Sequence, residues 1–373
     1  MINPLHALKG ILQVLLLTWL LFFSTGSFAA AGDTHTVIDM AGRSVQVKND
    51  VKTIGTLGSV PMLNTFVEAL GVGNKICNHP SAFHNIYNRW RMHLKFAPQM
   101  QKGLFFETAG HEMIPENILK ANPDLCVTNS KARLEMLERL GVPVIYVDLS
   151  SVQNILKSVR VLGEAISDKE HAERYIEYFN KSFDELRKIS SKIPEKERLT
   201  VMYSNPQSFR TPGQAAEMIM AAAGAKSVTA ATVKKGIRSF DTEDLIAWDP
   251  DVLFVSNSRI PKELKEHPFL KDLKAVRNNK IIITPTVGHG YGSPNVEMPI
   301  AGFWMLHKLY PSVFSEGQLR EKMKEFYKEF FHYDMTEEDL NRILADDPYA
   351  GDKVYFKTNE EMIEAQKKKQ STP

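Results

Sequence analysis

The chain has 373 residues, with 46 Lys and Arg against 44 Asp and Glu, a formal net charge of +2. That balance, with no basic stripe and no recognised binding motif, argues against a nucleic-acid partner, and only two cysteines argue against a disulfide scaffold. Roughly 340 residues remain if the first 30 are set aside as an export signal, which at about 150 per domain predicts two domains with separate cores.

The N-terminus supports that subtraction. Lys9, the apolar run Ile11 to Phe23 and the small-residue site Ser27-Phe28-Ala29-Ala30 read as a cleaved secretory signal over 1–30. The apolar run is shorter than the roughly 20 residues a membrane span needs. No cysteine follows it to take a lipid, so the expected product diffuses freely in a periplasm and acts as a monomer. Cys77 and Cys126 lie in short apolar runs and are expected as buried, unpaired thiols.

From Val37 the pattern alternates strands and helices. Strands are expected at Thr53 to Leu57, Lys75 to Asn78, Asp124 to Thr128 and Val142 to Val147, with helices Met62 to Leu70 and Arg133 to Leu140 between them. Gly71 and Gly141 close those helices. This is an N-terminal lobe, 36–150, with a parallel sheet joined by crossover helices. Over 151–195 helical spacing continues without a strand. Ser167-Asp168-Lys169-Glu170 has the form of a capping box, and the helix from 168 to 191 that follows is long enough, on the order of 30 Å, to span two lobes. Alternation resumes in a C-terminal lobe, 196–345, and a polar tail occupies 346–373. The fold class is α/β, with two Rossmann-like lobes on one long helix and a ligand cleft between them.

An internal echo relates the lobes. Residues 116–124 and 243–251 share the form Glu-x-[Ile/Leu]-[Ile/Leu]-x-x-x-Pro-Asp, each followed by an apolar strand ending Thr128-Asn129-Ser130 or Ser256-Asn257-Ser258. In open α/β sheets ligands sit beyond the strand carboxyl ends. After Asn78 come His79, His84, Tyr87, Arg89, Trp90, Arg91, His93 and Lys95, and after the later strands come Tyr203, Phe209, Arg210, nearby Arg238, and Gly288-His289-Gly290-Tyr291-Gly292. Cations with aromatic faces suit a bulky anionic ligand. The glycines are expected to leave His289 and Tyr291 exposed to it. His84, His93 and His289 are also candidate metal ligands.

Together, Val37 to Val45, the two Glu…Pro-Asp segments, Thr211-Pro212-Gly213 before an Ala-rich helix, and Ser293-Pro294 leading to Leu306 to Pro311 resemble the helical-hinge (class III) periplasmic binding proteins of ABC importers for iron-siderophore, haem or cobalamin. The resemblance implies capture of a metal chelate, a ferric siderophore first, for delivery to an inner-membrane permease. Haem, cobalamin or a divalent metal such as nickel is the alternative. It also implies that Glu116 and Glu243 dock on the permease. Ligand contacts are expected from Tyr87, Arg89, Trp90, Arg91, Tyr203, Arg210, His289 and Tyr291. No cofactor is implied, because any metal belongs to the ligand. No nucleophile elbow, Walker loop, dinucleotide fingerprint or His-Glu-x-x-His is present, so no enzyme is expected.

Overall fold

A computed structural model of the chain describes residues 33–80, 90–108, 110–204, 206–237 and 239–350. The expected signal over 1–30, the tail beyond 350, and Tyr87, Arg89, His84 and Arg238 lie outside these residues. The first described element is an antiparallel hairpin, β1 (Thr34–Ile38) and β2 (Ser44–Lys48). Asp39 fixes its turn by accepting the backbone N–H groups of Ala41 and Arg43. It also accepts the N–H of Tyr146, which pins the hairpin to the lobe-one sheet.

That sheet contains β3 (Ile54–Leu57), β4 (Leu125–Thr128) and β5 (Val144–Tyr146), all parallel, in the order β3-β4-β5. Every residue of β3 and β4 is buried, as expected of parallel strands covered on both faces. Helices Val60–Ala69 and Lys131–Arg139 lie where the apolar spacing puts them. The strand expected at Lys75 to Asn78 does not form. A 3-10 turn, Gly73–Lys75, is followed by single bridges from Ile76 to Ile54 and from Asn78 to Leu104. The reason is Asn78, whose buried side-chain oxygen accepts the Thr56 N–H at 2.9 Å and takes a bond that a ladder would need.

Lobe two holds β6 (Thr200–Tyr203), β7 (Lys226–Ser227), β8 (Val252–Val255) and β9 (Ile281–Ile283), parallel, in the order β7-β6-β8-β9. Helix Val152–Ala165 and the 22-residue helix Lys169–Ser190 separate the two sheets. At 1.5 Å per residue the latter is about 33 Å long. Its cap is Asp168, which accepts the His171 N–H at 3.0 Å, one residue later than the expected Ser167. Ser167 instead adopts a left-handed φ of 61° to end the preceding helix, the conformation common just past a helix C-terminus.

One turn of the long helix reaches both lobes. His171 bonds the carbonyl of Ala69 in lobe one, and Tyr175 donates to the carbonyl of Val296 in lobe two. Two C-terminal helices, Glu316–Phe331 and Glu337–Leu344, add further stitches. Phe96 of lobe one sits 5.7 Å from the Tyr327 ring and 4.9 Å from that of Phe331, and Lys95 pairs with Asp339. One hydrophobic core therefore runs through both lobes and the connector, with a smaller cluster in each lobe. Among the described residues no helix is long and apolar enough to cross a membrane.

Candidate functional site

The carboxyl ends of the parallel strands form one edge of each sheet. On lobe one, β3 runs out into Gly58-Ser59 and β4 into Asn129-Ser130. The Asn129 side chain accepts the Ser59 N–H at 3.1 Å and donates to the Ser59 hydroxyl at 3.0 Å. Beside them the buried Glu107 carboxylate accepts the Gly58 N–H and pairs with Arg133, whose guanidinium also donates to the His111 carbonyl. Composition singled out neither Glu107 nor Arg133. The legible signal was the repeated Thr-Asn-Ser and Ser-Asn-Ser strand endings.

Trp90 and His289 face each other from opposite lobes, with ring centroids 5.2 Å apart. Trp90 precedes the short helix Arg91–Phe96, and His289 belongs to the loop after β9. Two glycines allow this loop to press so closely. A Cβ at Gly288 would come within 2.6 Å of the Thr65 methyl on lobe one. Gly292, at φ +99°, lies flat against the Tyr203 ring, where a Cβ would approach to 2.4 Å. Trp90, His289 and Tyr203 are thus gathered along one seam, and all three are half-buried.

Beneath the seam lies a buried polar cluster that sequence reasoning assigned otherwise. His93, expected as a metal candidate, is 1% exposed and donates from Nδ1 to both oxygens of Glu68 at 2.8 and 2.9 Å. Burial alone would depress its pKa, but Glu68, then Glu297, hold it above the ordinary imidazole value. Glu297 accepts the N–H groups of Gly288 and His289 and the hydroxyl of Tyr327. Burial pushes its carboxyl up to about 7 even though those donors oppose the shift. Tyr291, expected to be exposed, is 1% exposed. Its N–H bonds back to the Pro285 carbonyl, which turns the ring inward onto Trp304 and its hydroxyl to Tyr327.

The remaining candidates divide. Arg210 is exposed, and its backbone carbonyl accepts the Ser204 hydroxyl. Arg91 is half-buried and donates to the carbonyl of Pro348. That contact belongs to a feature expected only as polar tail. Asp347 accepts the Ser258 hydroxyl at 2.7 Å, and the Tyr349 hydroxyl donates to the Thr284 carbonyl at 2.8 Å. Residues 347–349 thus lie over the carboxyl ends of β8 and β9 and reach Arg91 of the other lobe. Glu116 and Glu243 are both exposed in the first turns of helices Pro115–Ala121 and Thr242–Trp248. Both thiols are free, Cys126 buried and Cys77 half-buried, and burial pushes Cys77 up to about 12. Among the described residues no group of three or more His, Cys, Asp or Glu side chains is arranged to hold a metal.

The family model described as "Periplasmic binding protein" matches residues 108–287. The solved structure of a periplasmic solute-binding protein from Veillonella parvula superposes with a TM-score of 0.69. It is 24% identical, and the match covers 83% of this chain and 97% of that one. The chain has the fold of the periplasmic binding proteins, and its residues 108–287 match their family model. Its curated relatives include the molybdate-binding protein MolA of Haemophilus influenzae, 21% identical over 247 residues, 58% of this chain and 69% of the relative. They also include the iron(3+)-hydroxamate-binding protein YxeB of Bacillus subtilis, 20% identical over 190 residues, 47% of this chain and 59% of the relative. The fold and these relatives are those of solute-binding proteins, not enzymes.

Proposed function

We propose that this binding protein is exported through a signal cleaved near Ala29 or Ala30 and holds a metal chelate, a ferric siderophore first, between its lobes for an inner-membrane permease. The observation that carries this reading is the meeting of Trp90 and His289 across the seam, with Tyr203 beside them. Aromatic faces with cations at the rim suit a bulky, anionic, partly aromatic ligand. In this reading Trp90, Tyr203, Arg210 and His289 contact the chelate, with Tyr87 and Arg89 from the segment before Trp90. The metal arrives inside its chelate, because His93 is already engaged by Glu68. Haem, cobalamin or a divalent metal such as nickel is the alternative.

A second reading is a small oxyanion. It is favoured by the molybdate-binding relative and by the N-terminus of helix Val60–Ala69, which follows β3 at the cleft edge without a side-chain cap. Tryptophan quenching decides between them when the protein from about Ala31 onward is titrated with ferric catecholate, ferric hydroxamate, haem, cobalamin, free nickel or zinc, and molybdate. Quenching by one chelate, returned chemically unchanged, is the expected result. A response to molybdate alone replaces the chelate with the oxyanion, and a response to free metal alone sinks both.

A further inference from the structure

Beyond helix Glu337–Leu344 the chain turns back across lobe two. Ala345 leaves the helix extended, at φ −57° and ψ 153°, and Lys308 holds the helix end by donating to the Leu344 carbonyl at 3.0 Å. Asp347 then accepts two donors on one oxygen, the Ser258 hydroxyl at 2.7 Å and the Tyr349 N–H at 3.0 Å. Such a turn, in which an Asp side chain takes the N–H two residues on, directs the Tyr349 hydroxyl to the Thr284 carbonyl and the Thr286 hydroxyl, each at 2.8 Å. Pro348 is buried, and its carbonyl accepts Arg91 of lobe one at 3.4 Å. Ser258 follows β8, and Thr284 and Thr286 follow β9. The segment therefore lies on the carboxyl edge of the lobe-two sheet, where open α/β sheets receive ligands.

The same segment brackets the seam. Arg91 adjoins Trp90, and Thr286 bridges to Gly290, the neighbour of His289. The enclosed cavity lined by Arg91, Thr286, Asp339 and Pro348 is only about 20 Å³, room for about one water, whereas sites for drug-sized ligands run to roughly 300–1,000 Å³. The Pro348 carbonyl also engages Arg91, a cation of the kind an anionic ligand would take. We propose that residues 347–349 form a strap that determines which ligands the seam admits. A bulky anionic chelate binds by displacing the strap and taking over Arg91, while a small oxyanion at the N-terminus of helix Val60–Ala69 leaves it in place. This rests on the reading that a ligand is held at the seam. Ala345 and Asp346, between the helix and the strap, are exposed, so the strap can lift without disturbing either sheet. The strapped state lowers the apparent affinity for a bulky ligand in proportion to the fraction of molecules already open.

Stopped-flow tryptophan quenching of the chain from about Ala31 onward tests this with ferric hydroxamate, haem and molybdate. In the double variant Asp347→Ala with Tyr349→Phe, the chelate that binds should associate about five- to tenfold faster, with Kd lower by the same factor and the dissociation rate unchanged. Ser258→Ala, which removes one bond of the strap, should act in the same direction by about twofold. Molybdate should respond alike in wild type and variants. Chelate association that is unchanged or slower overturns the proposal. So does faster dissociation with weaker binding, the result expected of a segment that only supports the His289 loop, and an equal gain for molybdate overturns selection by size. If no chelate binds either protein, the chelate reading fails instead, and amide hydrogen exchange over 284–290 without ligand decides the strap. Faster exchange in the double variant supports it, and equal exchange overturns it.

Discussion

The two Glu…Pro-Asp segments end alike and begin differently. In both, the residue before proline is the helix C-cap in the left-handed conformation, Asn122 at φ 45° and Asp249 at φ 37°, which the short polar side chains of Asn and Asp tolerate. In both, the aspartate that follows ties its strand to the neighbour. Asp124 N–H donates to the Thr53 hydroxyl and Asp251 N–H to the Thr200 hydroxyl, each at 3.0 Å. The Asp124 carboxylate accepts the Thr53 N–H, and the Asp251 carboxylate the Thr200 N–H. At the other end, Thr242–Trp248 has a complete capping box from Asp241 and Asp244. Pro115–Ala121 starts from Ile114 with no cap and relies on proline in its first turn. The strand anchor is thus the part the repeat keeps, and the helix entrance is where each lobe differs.

Breaking the anchor gives the largest expected effect. Asp251→Ala strips bonds to a charged acceptor and leaves the Thr200 N–H unpaired, so equilibrium unfolding in urea should show a loss of about 2–3 kcal/mol. Asp124→Ala should lose a similar amount. A large loss in one lobe and none in the other would mean that the two anchors do different work.

The seam between the lobes is where the repeat stops, and its pH response sharpens the contrast. Glu297 titrates near 7 when folded, above the ordinary carboxylate value of about 4.3, so between those values the folded state binds the extra proton. Its contribution is complete at low pH and is lost as pH rises through about 7, on the order of 1.4 kcal/mol per unit between about pH 5 and 7. Glu68 and His93 are shifted upward as well, which adds in the same direction. Melting the wild type and Glu297→Gln from pH 5 to 8 should show the wild type losing stability relative to the variant as pH rises. Parallel curves would remove Glu297 as the cause.

A smaller difference is expected at the helix entrances. Asp241→Ala should cost about 1 kcal/mol through loss of the cap, a penalty for which Ile114 offers no counterpart. Smallest of all is the change on ligand binding. With His171 and Tyr175 holding both lobes from one helical turn, X-ray scattering with and without ligand should show little compaction. A marked decrease in radius of gyration would contradict the stiff connector.

Much of the fold was legible because it rests on local rules. The buried runs of β4 and β8, the apolar spacing of the long helix and the repeated Pro-Asp turns all state themselves in short windows of sequence. The site was less legible because its contacts are distant in sequence. Tyr291 reads as a loop aromatic between glycines, and only the folded chain shows Trp304 and Tyr327 waiting for it. His93 reads as one histidine among several until Glu68, 25 positions earlier, is brought to 2.8 Å. Tyr349 lies in a polar stretch with no periodicity, and its hydroxyl bond to Thr284 is set by where helix Glu337–Leu344 ends.

The central claim is that a ligand is held between the lobes, and isothermal titration calorimetry with the chelate that quenches the protein tests it most directly. Wild type should bind one equivalent, with Trp90→Ala from lobe one and Tyr203→Ala from lobe two each weakening binding about tenfold or more, and Glu116→Gln and Glu243→Gln leaving it unchanged. One-to-one binding that neither Trp90→Ala nor Tyr203→Ala disturbs would put the ligand elsewhere and contradict the account.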